Sequence, residues 1–243
     1  MKQITKLFSA KQETGQGLVE YGLLLTAVAL TAVGLLSLLG VRVSEVICQV
    51  AEGIGAETFC SSLLFFDDFS DDFTNWHPLA GDKNWKITNG EDPELCFSGR
   101  GEDGLLANGS EGTDYTVSVD ANITGGNGYG LYFRASQNEN GRLDGYTFQY
   151  DPGYGSGQFI MRKWVNGYEM WPPFAAAPAP AGFQWHNVER HIEVSVDGDR
   201  FTATIDGEEV LIGQDATYSK GEAGLRMWNS GRACFDNFTV ESH

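Results

Sequence analysis

Hydrophobic and polar positions follow two different rules along this chain, and the change falls near residue 61. Before it lies an unbroken apolar run, GLVEYGLLLTAVALTAVGLLSLLG from Gly17 to Gly40, whose only charged residue is Glu20. At ~1.5 Å per residue, a helix of that length just crosses the ~30 Å hydrocarbon core of a bilayer and is too long for a buried core helix. The polar stretch ahead of it, residues 1 to 15, sets Lys2, Lys6 and Lys11 against Glu13, so it is expected to stay cytoplasmic with the rest of the chain outside. From Ser61 the period shortens to two. TVSVDANI at 116–123, IEVSV at 192–196 and FTATI at 201–205 alternate, while YGLYF at 129–133 and YTFQY at 146–150 are aromatic and β-forming. Turn pairs punctuate them: Asn89-Gly90, Asn108-Gly109, Asn140-Gly141, Asn166-Gly167, Asp197-Gly198 and Asp206-Gly207. Asp197-Gly198, between IEVSV and FTATI, predicts a hairpin. Roughly a dozen strands with no helical period predict one all-β sandwich over residues 61–243. The stretch from Trp171 to Trp185, with Pro172, Pro173, Pro178 and Pro180, cannot be a central strand and reads as an extended loop that caps a site or covers a sheet edge.

Composition narrows the function classes. The 243 residues carry a formal charge of -17, which removes the cationic surface that nucleic-acid binding needs. With 42% hydrophobic residues the chain is far from the composition of disorder. Its four cysteines all lie outside the apolar run, which suits disulfides in an oxidising compartment. Three pairings are open; Cys48 with Cys60, closing a neck, and Cys96 with Cys234, tying an early strand to the last, are favoured. No C-x-x-C occurs, so zinc is not expected. Glu20 stands out, because a carboxylate inside a membrane span costs at least ~2.5 kcal/mol and calls for a partner.

Gly15-Gln16-Gly17-Leu18-Val19-Glu20-Tyr21 resembles the processing site of Flp-type (tight-adherence) pilins of the type IV pilus superfamily, and the likeness runs through the apolar helix to about Gly55. The resemblance implies a peptidase cut after Gly15, a mature chain beginning at Gln16, and Glu20 and Tyr21 at mature positions five and six. The new Gln16 ammonium of one subunit and the Glu20 carboxylate of its neighbour would each be rescued in an apolar setting by meeting the other. The expected partners are then a prepilin peptidase, the inner membrane before assembly, and other copies of the chain in an extracellular filament.

FFDDFSDDFTNWHPLAGDKNWKITNG at 65–90, GYGLYFRAS at 128–136 and GLRMWNSGRACFDNFTV at 224–240 resemble the concanavalin A-like (LamG-like, jelly-roll) superfamily. There the opening D-D-F and closing F-D-N-F strands pair at one edge, and members include carbohydrate-binding modules, glucanases and adhesive ectodomains. Calcium at the paired termini, on Asp67 or Asp68 with Asp236, follows from that resemblance, since hard cations take oxygen ligands. Catalysis is not expected: no E-x-D-x-E carboxylate pair, G-x-S-x-G or histidine cluster with ligand spacing occurs. Binding has better support, from Tyr150, Tyr154, Trp164, Tyr168 and Trp171 near the DPGYGSG loop, whose flat rings suit sugar faces, with Arg134, Arg162 and Gln149 to bond hydroxyls. Phe69, Phe73, Trp85, Phe133, Phe148, Phe159, Trp228, Phe235 and Phe238 are assigned to packing.

The chain therefore reads as a long N-terminal α-helix followed by an all-β jelly-roll sandwich (concanavalin A-like). Residues 1–15 are a cleaved leader, 16–60 the filament-core helix and neck, and 61–243 an extracellular domain. The expected role is a structural pilin subunit displaying a module for surface or glycan adhesion. The rival readings are a membrane-anchored carbohydrate-binding receptor and an anchored glycan hydrolase.

Overall fold

Alternation of the kind seen in TVSVDANI can be satisfied only by a sheet with one face on a core and one in water, and the first of two sheets is built this way. In the computed structural model, which describes residues 62–243, Tyr115, Val117, Val119, Ala121 and Ile123 face inward while Thr116, Ser118, Asp120 and Asn122 lie outward and partly exposed. The leader, the 16–60 helix and neck, and with them Gly15, Gln16, Glu20, Tyr21, Cys48 and Cys60, lie outside the described residues. Among the described residues no helix is long and apolar enough to cross a membrane.

Numbered in chain order, the first sheet contains β1 (Ser62–Asp67), β3 (Trp85–Ile87), β4 (Leu95–Ser98), β6 (Tyr115–Gly125), β12 (Glu189–Asp197), β13 (Arg200–Ile205), β14 (Glu208–Gln214) and β16 (Arg232–Ser242). Its order is β14-β13-β12-β6-β16-β4-β3, with β1 pairing along the other half of the β16 edge. The second contains β2 (Trp76–Pro78), β5 (Asp103–Ala107), β7 (Gly128–Gln137), β8 (Leu143–Asp151), β9 (Gln158–Val165), β10 (Tyr168–Glu169), β11 (Ala175–Pro178) and β15 (Glu222–Trp228). Its order is β10-β9-β8-β7-β15-β5-β2, with β11 on the outer edge of β9. This is an all-β jelly-roll sandwich of the concanavalin A-like kind.

The opening and closing strands pair as the resemblance implies, Phe65 opposite Val240 and Asp67 opposite Phe238, and Phe65, Trp76 and Phe238 meet edge to face at 4.7–5.9 Å. Between β12 and β13 the two-residue loop is Gly198-Asp199, one residue later than the Asp-Gly pair suggests. Asp197 still pairs with Arg200, and Gly198, at φ +56°, takes the first central position, where a type II′ turn needs glycine. The proline-rich stretch is not all loop: Ala175–Pro178 adds to β9 as an edge strand, the one place in a sheet where proline's missing N–H costs nothing. Cys96 and Cys234 sit directly opposite one another on β4 and β16 and form the expected disulfide.

The second sheet departs from simple alternation. Leu131, Phe133, Phe148, Phe159, Leu225 and Met227 face the inter-sheet core, yet the opposite face is covered as well. There Leu106, Tyr132, Leu143 and Trp164 form a separate small cluster with Leu79 packed on it. Every large core aromatic assigned to packing is buried or packed against the core except Trp228, which lies on this outer face side.

Candidate functional site

The outward positions of the second sheet line up in register. One cross-strand row reads Gly104, Arg226, Gly130, Gln149; the next reads Leu106, Gly224, Tyr132, Thr147, Arg162. The glycine between Arg226 and Gln149 is required, because a Cβ at Gly130 would stand 2.5 Å from the Phe148 carbonyl oxygen and 3.1 Å from the Gln149 Cβ. Its absence leaves a trough across which the Arg226 guanidinium reaches the Gln149 Oε1.

Arg226 is only 2% exposed. Its Nε donates to Glu102 Oε1 at 2.8 Å, with Nη2 in an ion-pair contact 2.6 Å from the same oxygen, Nη1 donates to Gln149 and at 3.0 Å to Glu169 Oε1, and Nη2 donates at 3.1 Å to Glu169 Oε2. All three guanidinium nitrogens thereby donate, four hydrogen bonds in all. The Trp164 and Trp228 rings both lie against the group, with centroids 4.9 and 4.7 Å from its carbon. Burial works against the Arg226 charge, but Tyr132, Glu102 and Glu169 around it more than offset this and hold its pKa above the ordinary arginine value.

A second arginine lies alongside. Arg162, 7% exposed, has its Nε 3.2 Å from Glu169 Oε1 and Nη2 3.6 Å from Asp151 Oδ2. The Trp171 ring lies over it at 4.8 Å and Tyr154 at 5.8 Å. Glu169 thus bridges two guanidinium groups from β10, a two-residue strand held against β9 by the Asn166-Gly167 turn, whose residues sit at φ +54° and +79° as a type I′ turn demands. Beside the bridge opens a cavity of about 160 Å³ lined by Leu79, Glu102, Gly104, Tyr132, Leu143 and Trp164 among others. Burial pushes the Tyr132 phenol above its usual range, so it stays protonated at any ordinary pH.

Of the residues singled out from sequence, Tyr154, Trp164, Trp171, Arg162 and Gln149 come together here. Tyr168 is on the same short strand as Glu169 but packs under Arg142, 5.9 Å from its ring, and is otherwise exposed. Tyr150 does not face the site: as the neighbour of Gln149 it points to the opposite side of β8, among Phe159, Phe183 and Trp185. Arg134 does not face it either. A bulge between Phe133 and Ser136 turns it, at φ +45°, to the far end of the strand, where its guanidinium donates to the carbonyls of Thr113 and Tyr218.

The acidic residues expected to hold calcium are close enough that, beyond burial, the charge of Asp68 raises the pKa of both Asp67 and Asp236, and each carboxylate also accepts a local hydrogen bond. Asp67 accepts from the Phe69 N–H and Trp76 Nε1, and Asp68 from the Ser70 N–H. Asp236 caps the Asn237 N–H. Among the described residues the one group of three ligand atoms within 4.8 Å of each other is Glu94 with Cys96 and Cys234, whose sulfurs are already bonded together.

Arg226, Glu169, Glu102 and Tyr132 were missed by sequence reasoning. A signal existed in GLRMW: Leu225 and Met227 alternate with Arg226 and Trp228, so a strand whose core face is apolar carries an arginine and an indole on the other.

Comparison with known proteins agrees with this architecture. Levanase of Bacillus subtilis (strain 168) is 27% identical over 164 residues, covering 65% of this chain and 23% of the levanase, so the chain spans under a quarter of that relative's length. The structure of the carbohydrate-binding module CBM66 from Bacillus subtilis superposes with a TM-score of 0.56 at 26% identity, covering 70% of this chain and 96% of the module. A Bacillus subtilis protein with a galectin-like fold (TM-score 0.55, 14% identity, 74% of this chain and 96% of that one) and a Bacillus licheniformis β-glucanase (0.51, 12%, 74% and 97%) share the fold alone. Residues 63–241 match the model of the 3-keto-alpha-glucoside-1,2-lyase-like domain, and the chain belongs to that family.

Proposed function

We propose that the β-sandwich is a non-catalytic carbohydrate-binding module for neutral sugars. The observation that carries this reading is that every guanidinium nitrogen of Arg226 is already engaged by Glu102, Glu169 or Gln149. Because Glu102, Glu169 and Gln149 already engage its nitrogens, the arginine has little to offer an anionic ligand and acts instead as a scaffold that fixes the Glu102 carboxylate at the cavity wall. A rigid carboxylate with spare lone pairs accepts from sugar hydroxyls, and the Trp164 indole and Tyr132 phenol supply an apolar wall and a further hydroxyl. Two arginines face Glu102, Glu169 and Asp151 in a strongly acidic protein, which disfavours uronates and sulfated glycans. The cavity, about half the ~300 Å³ of the smallest drug-sized pockets, suits a single ring. Both Glu102 and Glu169 accept from a guanidinium, so neither is arranged as the proton donor that glycoside cleavage needs.

The similarity to a levanase and to a carbohydrate-binding module supports the same reading and makes levan the first polysaccharide to try. Calorimetry against levan, inulin, β-glucan and mannan, with polygalacturonate as the anionic control, tests it. Binding of at least one neutral polymer and none of the anionic one is expected, with at least a tenfold loss in Glu102→Gln. Release of reducing ends from any of them would overturn the non-catalytic part.

Display of this module on a filament rests on the Gly15, Glu20 and Tyr21 register of the sequence, and its check is the amino-terminal residue of protein sheared from cells. Gln16 is expected there, and an intact Met1 would leave the anchored receptor as the reading.

A further inference from the structure

We propose that Trp171 is a second sugar station, so that the site takes a neutral oligosaccharide by two adjacent rings, one in the cavity beside Trp164 and the next on the Trp171 indole. This rests on the carbohydrate-binding reading above and extends it to the size of the ligand. Trp171 is 68% exposed, yet it is not a loose surface side chain. The buried Arg162 guanidinium lies 4.8 Å from its ring centroid, and the Tyr154 ring meets it edge on at 5.3 Å. Arg162 forms ion pairs in turn with Asp151 and Glu169, and its side chain is almost wholly buried. One indole face is thereby braced from beneath by a cation while the ring stays open to solvent, and a ring ordered before binding loses little entropy when a ligand stacks on it.

The spacing fits a short chain of sugars. Arg162 and Trp164 are alternate residues on the same face of β9, so their backbones are about 6.6 Å apart. The cavity is walled by Trp164, and the exposed indole stands over Arg162. Glu169 touches both Arg226, behind the cavity, and Arg162, beneath the Trp171 indole, and so ties the two stations together.

The test is the affinity of the full chain for mono-, di-, tri- and tetrasaccharides of the fructan, β-glucan and mannan series, measured by calorimetry. Wild-type affinity is expected to rise about tenfold from one ring to two and then level off, the size of one well-made ring stack. In Trp171→Ala the ratio of disaccharide to monosaccharide affinity falls to near one, and Trp171→Phe restores part of it. An unchanged ratio in Trp171→Ala, or a wild-type affinity that does not depend on length, overturns the second station while leaving the carbohydrate reading in place. Failure of every series to bind the wild type overturns both.

Discussion

At the residue scale, the site turns on the difference between an arginine and a lysine. The planar fork of Arg226 serves Glu102, Glu169 and Gln149 at once, and no rotation of an ammonium on a flexible stem reproduces that geometry. Arg226→Lys keeps the charge, so the carboxylates are not stranded, but it loses the parallel bonds and the planar contact with the Trp164 and Trp228 rings. The expected cost is about 1–3 kcal/mol, read as a melting temperature roughly 2–10 °C lower, together with a loss of sugar affinity larger than that stability change alone would give. A thermal melt and a titration on the same preparation check both. If Arg226→Lys binds as tightly as wild type, the arginine is a structural ion-pair partner and does not hold the carboxylates for a ligand.

At the scale of the element, the two sheets differ in how far they can be read from sequence. β6, β12 and β13 have one wet face, and their alternation placed them to within three residues at either end. β7, β8 and β9 are covered on both faces, so GYGLYFRAS and YTFQY are unbroken runs in which nothing local says which ring points where. That is why Tyr150 looked as available as Trp164, and why the bulge that diverts Arg134 left no mark. β11 is a milder case, a strand hidden by its prolines because it needs hydrogen bonds on one edge only. The link between β4 and β16 was legible, since two cysteines far apart in sequence had few other partners, and it makes a prediction about the sheet edge. Cys96 and Cys234 are 138 residues apart, so the disulfide restrains a very large loop in the unfolded chain. Replacing both by alanine is expected to cost about 2–5 kcal/mol and to lower the melting temperature by roughly 5–15 °C. Sugar binding, which depends on the other sheet, should survive at temperatures well below that transition.

At the scale of the whole molecule, the acid excess sets how stability depends on pH, and two sets of carboxylates oppose each other. Asp67, Glu94, Glu222 and Asp236 are pushed above the usual carboxylate range, each mainly by burial, with neighbouring acids adding to the effect. A group with a raised folded-state pKa contributes stability below its unfolded value and loses it as pH rises through the folded one, so these four favour mildly acid solution. Asp215 behaves in the opposite way. Burial alone would raise its pKa, but hydrogen bonds from Lys163 at 2.8 Å, Thr217 and Tyr146 outweigh that and hold it at about 2. Its contribution, on the order of 2 kcal/mol, is complete above its unfolded value of 3.8 and is lost as pH falls from there through about 2. Relief of self-repulsion in a chain of formal charge -17 acts with the first set, since protonation reduces the net charge on the way to a pI near 4.5. The melting temperature is therefore expected to rise on acidification from about pH 7.5 to about pH 5 and to fall steeply below about pH 3.5. Asp215→Asn should flatten the acid limb and leave the rise toward pH 5 intact, and calorimetric melts at unit pH steps separate the two limbs. A wild-type optimum at neutral pH would mean that the raised carboxylates are not the burdened groups their burial makes them.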